Sequence, residues 1–307
     1  MLPGLRAKHE TNEARGTRRL RAAMAAGVSR AVLITGCSSG IGRATAERLA
    51  RSGWTVYATA RRPETISDLE STGARTLALD VADEESMRAA VSTVEEAEGA
   101  VGALVNNAGY SQSGAVESVP LELVRRQFET NVFGLLRLTQ LVLPGMRRQR
   151  HGRIVNLSSM GGRLVFPGGG IYHASKYALE ALSDALRFEV RGFGVDVVLV
   201  EPGLIRTRFG EAAVGSMEVD GEGASSPYAE FNASVARTTK GAYEGPLARL
   251  GAGPEAVARV IERALKARRP RPRYPVTLSA RVAMAQHAVL PDRAWDAVMR
   301  TQFPRPS

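Results

Sequence analysis

From Ala31 onward, short apolar runs alternate with longer stretches whose apolar residues recur at helical spacing. A short run of aliphatic residues bounded by turn residues reads as a strand buried on both faces, and the amphipathic stretch after it as the helix that covers it. Strands are expected at Ala31 to Thr35, Thr55 to Thr59, Arg75 to Asp80, Ala103 to Asn106, Arg153 to Ser158 and Val195 to Glu201. Helices are expected at about 41–52, 83–98, 121–149 and 174–191. This order predicts an α/β fold, a doubly wound parallel sheet with helices on both faces. After Pro202 the regularity weakens. Residues 203–252 are rich in Gly, Ala, Ser and Thr without a sustained period, and so long an irregular stretch inside a domain reads as a lid or binding loop. Helical pattern returns at about 254–268 and 278–303, with a short last strand, Arg273 to Val276, among Pro270, Pro272 and Pro275.

Charge changes the picture only at the ends. Of the formal +10 on 307 residues, residues 1–30 hold seven basic and two acidic side chains, and residues 259–307 hold eleven and three. The stretch between is slightly acidic, so the basic balance does not mark a nucleic-acid surface, and no nucleic-acid partner is expected. The single cysteine, Cys37, forms no intramolecular disulfide, and no Cys/His spacing suggests a metal site. A reducing, cytoplasmic location is expected. No apolar run is long enough for a membrane span.

Candidate chemistry begins directly after the first expected strand, at Thr35-Gly36-Cys37-Ser38-Ser39-Gly40-Ile41-Gly42. Glycines let a backbone turn tightly and approach a pyrophosphate, whose charge the free N–H groups and dipole of the following helix attract. An acidic residue ending the second strand would bind the ribose 2′-hydroxyl of NAD(H); here the sequence reads Thr59-Ala60-Arg61-Arg62. A guanidinium matches a 2′-phosphate, so NADP(H) is favoured over NAD(H), with Arg61 the better candidate. Asp80 ends the third strand, where it either accepts a bond from the adenine amino group or caps the next helix.

Tyr172 and Lys176 lie four apart at the start of an expected helix and so share a face. An ammonium at about 4 Å from a phenol, at an effective dielectric near 20, lowers the phenol's pKa by roughly three units, towards working pH. Ser158 and Ser159 end the fifth strand, where a hydroxyl can hold a substrate oxygen. His173 is expected on the helix surface.

These pieces, with Asn106-Asn107-Ala108-Gly109, Asn131, Asn156-Leu157-Ser158-Ser159, Tyr172-His173-Ala174-Ser175-Lys176 and Pro202-Gly203-Leu204-Ile205-Arg206-Thr207, resemble the short-chain dehydrogenase/reductase family over about 30–210. The resemblance implies a Rossmann-like sheet of about seven strands and hydride transfer between a nicotinamide and a carbonyl or secondary alcohol. It implies that Tyr172 is the catalytic acid in reduction and base in oxidation, and that Lys176 binds the nicotinamide ribose and lowers the tyrosine pKa. Ser159, thirteen residues before Tyr172, would orient the carbonyl, and Asn131 would hold a water linking Lys176 to solvent. The cofactor contacts it implies are Gly36, Ser38, Ser39, Gly40, Ile41 and Gly42 in the loop, Arg61, Asp80, Val81, Asn107, Ala108 and Gly109 on the adenosine side, and Pro202, Gly203 and Thr207 near the nicotinamide.

Two departures stand out. Many NADP-preferring relatives carry a basic residue where Ser39 stands, so the cofactor preference rests on Arg61 alone, and a helical segment continues through Trp295 to Phe303. Tyr57 to Arg61, Glu201-Pro202-Gly203 and the long tail look similar to the 17-beta-hydroxysteroid and retinol dehydrogenase branch. The implied division is a disordered basic arm over 1–29, a catalytic domain over 30–276 with a lid at about 204–250, and a helical extension over 277–307. Leu204, Phe209, Met217, Tyr228 and Phe231 in the lid offer apolar contacts to a fairly apolar small molecule. A homodimer or homotetramer through the long helices is implied. The competing reading is a catalytically idle NADP-binding sensor or scaffold.

Overall fold

The computed structural model describes residues 27–219, 226–245 and 251–303; most of the expected arm, and the lid segments 220–225 and 246–250, lie outside the described residues. Seven parallel strands form one sheet: β1 (Ala31–Ile34), β2 (Thr55–Ala60), β3 (Arg75–Ala78), β4 (Ala103–Asn106), β5 (Gly152–Leu157), β6 (Val195–Glu201) and β7 (Arg273–Pro275), in the order β3-β2-β1-β4-β5-β6-β7. The chain winds outward from β1 to β3 and crosses back to β4. That reversal opens a crevice at the carboxyl ends of β1 and β4.

Alternation along each strand divides the core. Val32, Ile34, Val56 and Ala58 point to one face, against α1 (Gly40–Arg51) and α8 (Pro254–Lys266). Ala31, Leu33, Tyr57 and Leu104 point to the other, against α2 (Glu84–Glu98) and α4 (Gly134–Arg148). Both sets are fully or nearly fully buried, as strands covered on both sides must be. The face opposite α1 and α8 is completed by α5 (Gly170–Glu189), which packs on β6.

Three helical expectations are corrected. The helix expected over 121–149 is split into α3 (Leu121–Phe128) and α4 by a π-helical turn at Glu129–Phe133. Gly134 follows that turn, and a Cβ there would lie 2.0 Å from the Val81 carbonyl oxygen, so only glycine allows α4 so close to the end of the third strand segment. The stretch 203–252 contains α6 (Phe209–Gly215) and α7 (Ala229–Glu244) rather than irregular loop alone. The helix expected over 278–303 breaks into α9 (Leu278–Val289) and α10 (Asp292–Arg300) at Leu290, whose extended ψ of 131° is what a following proline imposes. Among the described residues no helix is long and apolar enough to cross a membrane.

Candidate active site

The glycine loop leaves β1 with Gly36 and Gly40 at φ of +72° and +60°, a backbone region that side chains disfavour. Asn107 fastens the loop to the end of β4: its Nδ2 donates to the carbonyls of Thr35 (2.8 Å) and Gly36 (3.0 Å). In return Thr35 Oγ1 accepts the backbone N–H groups of Asn107 and Ala108. Gly36, Ser38, Ser39, Gly40 and Ile41 line one end of a cleft of about 1200 Å³, and Arg61, Asp80 and Val81 line it beside them. Arg62 does not.

Gly42 is a correction. It lies outside the cleft wall, where a Cβ would come within 2.3 Å of the Gly36 carbonyl oxygen, so it serves loop packing. Cys37 is fully buried, its thiol pushed up to about 12 by burial, which makes it an inert packing residue. Asp80 spends Oδ1 on the Ala82 N–H, while Asp83 caps α2 by accepting from Glu85 and Ser86.

Asn107, Ala108 and Gly109 continue the wall, and Pro202, Gly203 and Thr207 close it from the opposite side. A Cβ on Gly40 would meet the Thr207 methyl at 3.3 Å, so glycine loop and Thr207 face each other across a narrow gap. Asn131 is the second residue not in the wall. The π-helical turn carries it behind Gly109, where its amide donates to the Tyr110 carbonyl (3.0 Å) and to Ser175 Oγ (3.2 Å), and its Oδ1 accepts the Tyr110 N–H. Ser175 Oγ in turn donates to the Tyr172 carbonyl, so Asn131 braces the first turn of α5. π-Helical turns recur at functional sites because they aim one side chain out of helical register.

Ser159, Tyr172 and Lys176 meet in the cleft wall. Ser159 opens a 3₁₀ turn and accepts the Gly161 N–H, and its hydroxyl beside the Tyr172 phenol favours the ionised form. Burial acts more strongly, and it pushes the phenol above its ordinary value. The expected lowering by the lysine is therefore corrected. Lys176 is itself buried and lowered to about 8, its Nζ donates to the Leu157 carbonyl at 2.8 Å, and it sits 5.8 Å from the centre of the tyrosine ring. An ammonium so placed, still largely charged at neutral pH, does not outweigh desolvation of the phenol.

The residues present fit a nicotinamide dinucleotide. Two positive-φ glycines open the loop at a helix N-terminus, and a buried ammonium in the cleft wall, with one of its three hydrogens spent on Leu157, keeps donors for ribose hydroxyls.

His173 is buried, against expectation: its Nδ1 faces the Gly161 carbonyl at 2.9 Å and its Nε2 accepts the Phe166 N–H at 3.2 Å. Burial lowers its pKa, and the ring wedges between Gly161 and Gly169 to hold the loop that carries Ser159. Phe209 lies edge-on to Tyr172 at 5.5 Å. Of the five expected lid contacts, Leu204 and Phe209 line the cleft; Met217 and Phe231 pack in an apolar cluster, and Tyr228 donates to Glu117.

Comparison with known proteins agrees with this geometry. Residues 30–216 match the family profile described as short chain dehydrogenase. The chain is 38% identical over 275 residues to the uncharacterized oxidoreductase YbbO of Escherichia coli, covering 89% of this chain and 95% of the relative. It is 34% identical over 281 residues to the NADPH-dependent 3-dehydrocapnine reductase of Ornithobacterium rhinotracheale, covering 88% and 95%. A crystal structure of a short-chain dehydrogenase from Streptomyces avermitilis superposes with a TM-score of 0.71 at 35% identity, covering 89% of this chain and 94% of that one.

Proposed function

Because this chain belongs to the short chain dehydrogenase family, and is thus an oxidoreductase acting on CH–OH groups with a nicotinamide cofactor, we propose that it uses NADP(H) to reduce the ketone of a fairly apolar small molecule. The observation that carries this reading is the convergence of Ser159, Tyr172 and Lys176 on the cleft whose other end is the glycine loop. When bound, the nicotinamide supplies the hydride. Ser159 Oγ and Tyr172 Oη both bond the carbonyl oxygen, and as negative charge develops there Tyr172 gives up its proton. Burial keeps that phenol protonated at neutral pH, the state a proton donor needs. Lys176 orients the ribose hydroxyls through the hydrogens that Leu157 leaves free, and Asn131 holds the helix turn that bears both residues. Arg61, exposed in the cleft wall beyond the loop, pairs with the 2′-phosphate. The NADPH dependence of the 3-dehydrocapnine reductase lends support to that choice. The helices after Pro202 form the substrate side of the site.

The test is NADPH oxidation at 340 nm with a ketone panel. Tyr172→Phe is expected to lower kcat by about 100- to 10,000-fold, the range for losing a positioned acid. Arg61→Ala is expected to weaken NADPH about 10- to 100-fold and leave NADH unchanged, as for one charged hydrogen-bonding pair. Unchanged turnover in Tyr172→Phe would refute the role given to Tyr172, and no turnover of any ketone by the native chain would leave the idle-sensor reading standing instead.

A further inference from the structure

The cleft takes in the substrate end as well as the dinucleotide end, and its far wall is made by two short helices that the family match over residues 30–216 does not reach. On α9 the cleft-lining residues are Ser279, Val282, Ala283 and Gln286, and on α10 they are Trp295, Val298 and Met299. Positions spaced by three, four and seven form one stripe along each helix. From Ser279 to Gln286 the stripe runs about 10 Å. None of these side chains is charged. The charged residues of the two helices, Arg281, Asp292, Arg293, Asp296 and Arg300, are not part of the cleft wall.

The stripes begin at the reacting end. Ser279 Oγ accepts the Leu204 N–H, and Thr277, which caps α9 by accepting from Ala280, lies against Gly203. A second path of rings leads the same way: Tyr172 to His173 at 5.6 Å, His173 to Phe166 at 6.0 Å, and Phe166 to Trp295 at 6.4 Å. One turn along each stripe the wall opens to a rim, where Val282 and Val298 are 45% and 38% exposed. A neutral strip, apolar at Val282, Ala283, Trp295, Val298 and Met299 between the polar Ser279 and Gln286, runs from the proton donor to a rim of exposed valines and matches the shape of an alkyl chain.

We infer that α9 and α10 are the binding wall for a linear aliphatic chain attached to the reacting carbonyl, so that the substrate is a long-chain ketone whose chain leaves the site past Val282 and Val298. The inference rests on Tyr172 marking the reacting end. Each methylene laid on the stripe is removed from water, worth about 0.8 kcal/mol or roughly fourfold in kcat/KM. The gain stops at the open rim.

Two measurements on the full chain test it. With NADPH and butan-2-one, octan-2-one, dodecan-2-one and the fused-ring 2-decalone, kcat/KM is expected to climb roughly fourfold per methylene and then level off, with 2-decalone below octan-2-one. Ala283→Trp, which fills the strip, is expected to cut dodecan-2-one at least tenfold more than butan-2-one. Val298→Asp, at the exposed rim, gives the same selectivity by charge and covers the case in which the tryptophan does not fold. Binding without turnover is read by Trp295 fluorescence in a Trp54→Phe background, where dodecan-2-one is expected to shift emission at far lower concentration than butan-2-one. Turnover with a flat chain-length series, a preference for 2-decalone, or equal losses on all ketones in both variants overturns the inference alone. Long-chain binding with no turnover overturns the proposed reaction and supports the chain site.

Discussion

The two ends of the cleft are built by opposite means. At the dinucleotide end the positions are set by backbone: Asn107 ties the carbonyls of Thr35 and Gly36, Thr35 ties the N–H groups of Asn107 and Ala108, and Cys37 N–H bonds the Thr59 carbonyl at 2.8 Å. At the substrate end, α7, α10 and the turn after α6 meet over a small apolar cluster, Met217, Val235, Met299 and Phe303, with Phe166, Phe231 and Trp295 packed against it. The difference separates two tasks. A ligand common to a whole family would meet main-chain groups that the Asn107 and Thr35 side chains lock in place, whereas the substrate would meet side chains that can be exchanged without moving the sheet.

The largest expected effect tests the rigid end. A methyl on Gly42 would sit 2.3 Å from the Gly36 oxygen and 2.5 Å from Asn107 Nδ2, and neither can retreat without losing the bonds that join loop to β4. Gly42→Ala is expected to cost about 3 kcal/mol or more in chemical denaturation, the upper range for forcing volume into a packed site, and to abolish NADPH binding. Retained binding would mean that the loop is as adaptable as the substrate wall.

The seam between the two ends carries the second. Glu201 ends β6 just before Pro202 and Gly203, and burial, reinforced by Glu180, raises its carboxyl to about 7 despite Arg163 and Arg273 nearby. The sign follows from proton binding. Between about 4.5 and about 7 the folded chain keeps a proton that the unfolded chain has lost, so stability falls as pH rises through that window. The fall amounts to about 3 kcal/mol at most, from 1.4 kcal/mol per pKa unit. Melting curves from pH 4.5 to 8 are expected to show it in the native chain and to lose it in Glu201→Gln; an identical pH slope in both would assign it to other groups.

The same contrast governs what was legible in the sequence. The doubly wound sheet is legible because each strand is an apolar run and each helix has one apolar stripe, patterns imposed locally by burial on two faces and on one. Glycine loop, Tyr172 and Lys176 are legible because their chemistry depends on spacing along one element. Asn131 is legible as a residue but not as a break: the π-helical turn follows from the fit of Gly134 against Val81, a contact far apart in sequence. His173 looks like any polar residue on an exposed helix, and only the return of Gly161 and Gly169 onto its ring buries it. Of the stretch 203–252, α6 is only seven residues long and α7 packs on a satellite cluster, so their periodicity barely exceeds that of loop, and the proline break in the last helix goes unmarked by any change in polarity.

The smallest effect probes the soft end and has the opposite sign. Gly241 lies inside α7, within the wall formed by Thr238, Thr239, Ala242 and Tyr243, and a Cβ there would have nothing within 4 Å. No contact is strained by adding the methyl, while the unfolded chain loses the extra freedom of glycine. Gly241→Ala is therefore expected to stabilise the protein by about 0.5–1 kcal/mol, the usual difference in a helix interior. Cofactor affinity is expected to stay unchanged, because α7 supplies no residue to the dinucleotide end. If urea titration instead shows a loss, α7 depends on flexibility or a bend at that glycine, and the substrate wall is held more tightly than its small apolar cluster implies.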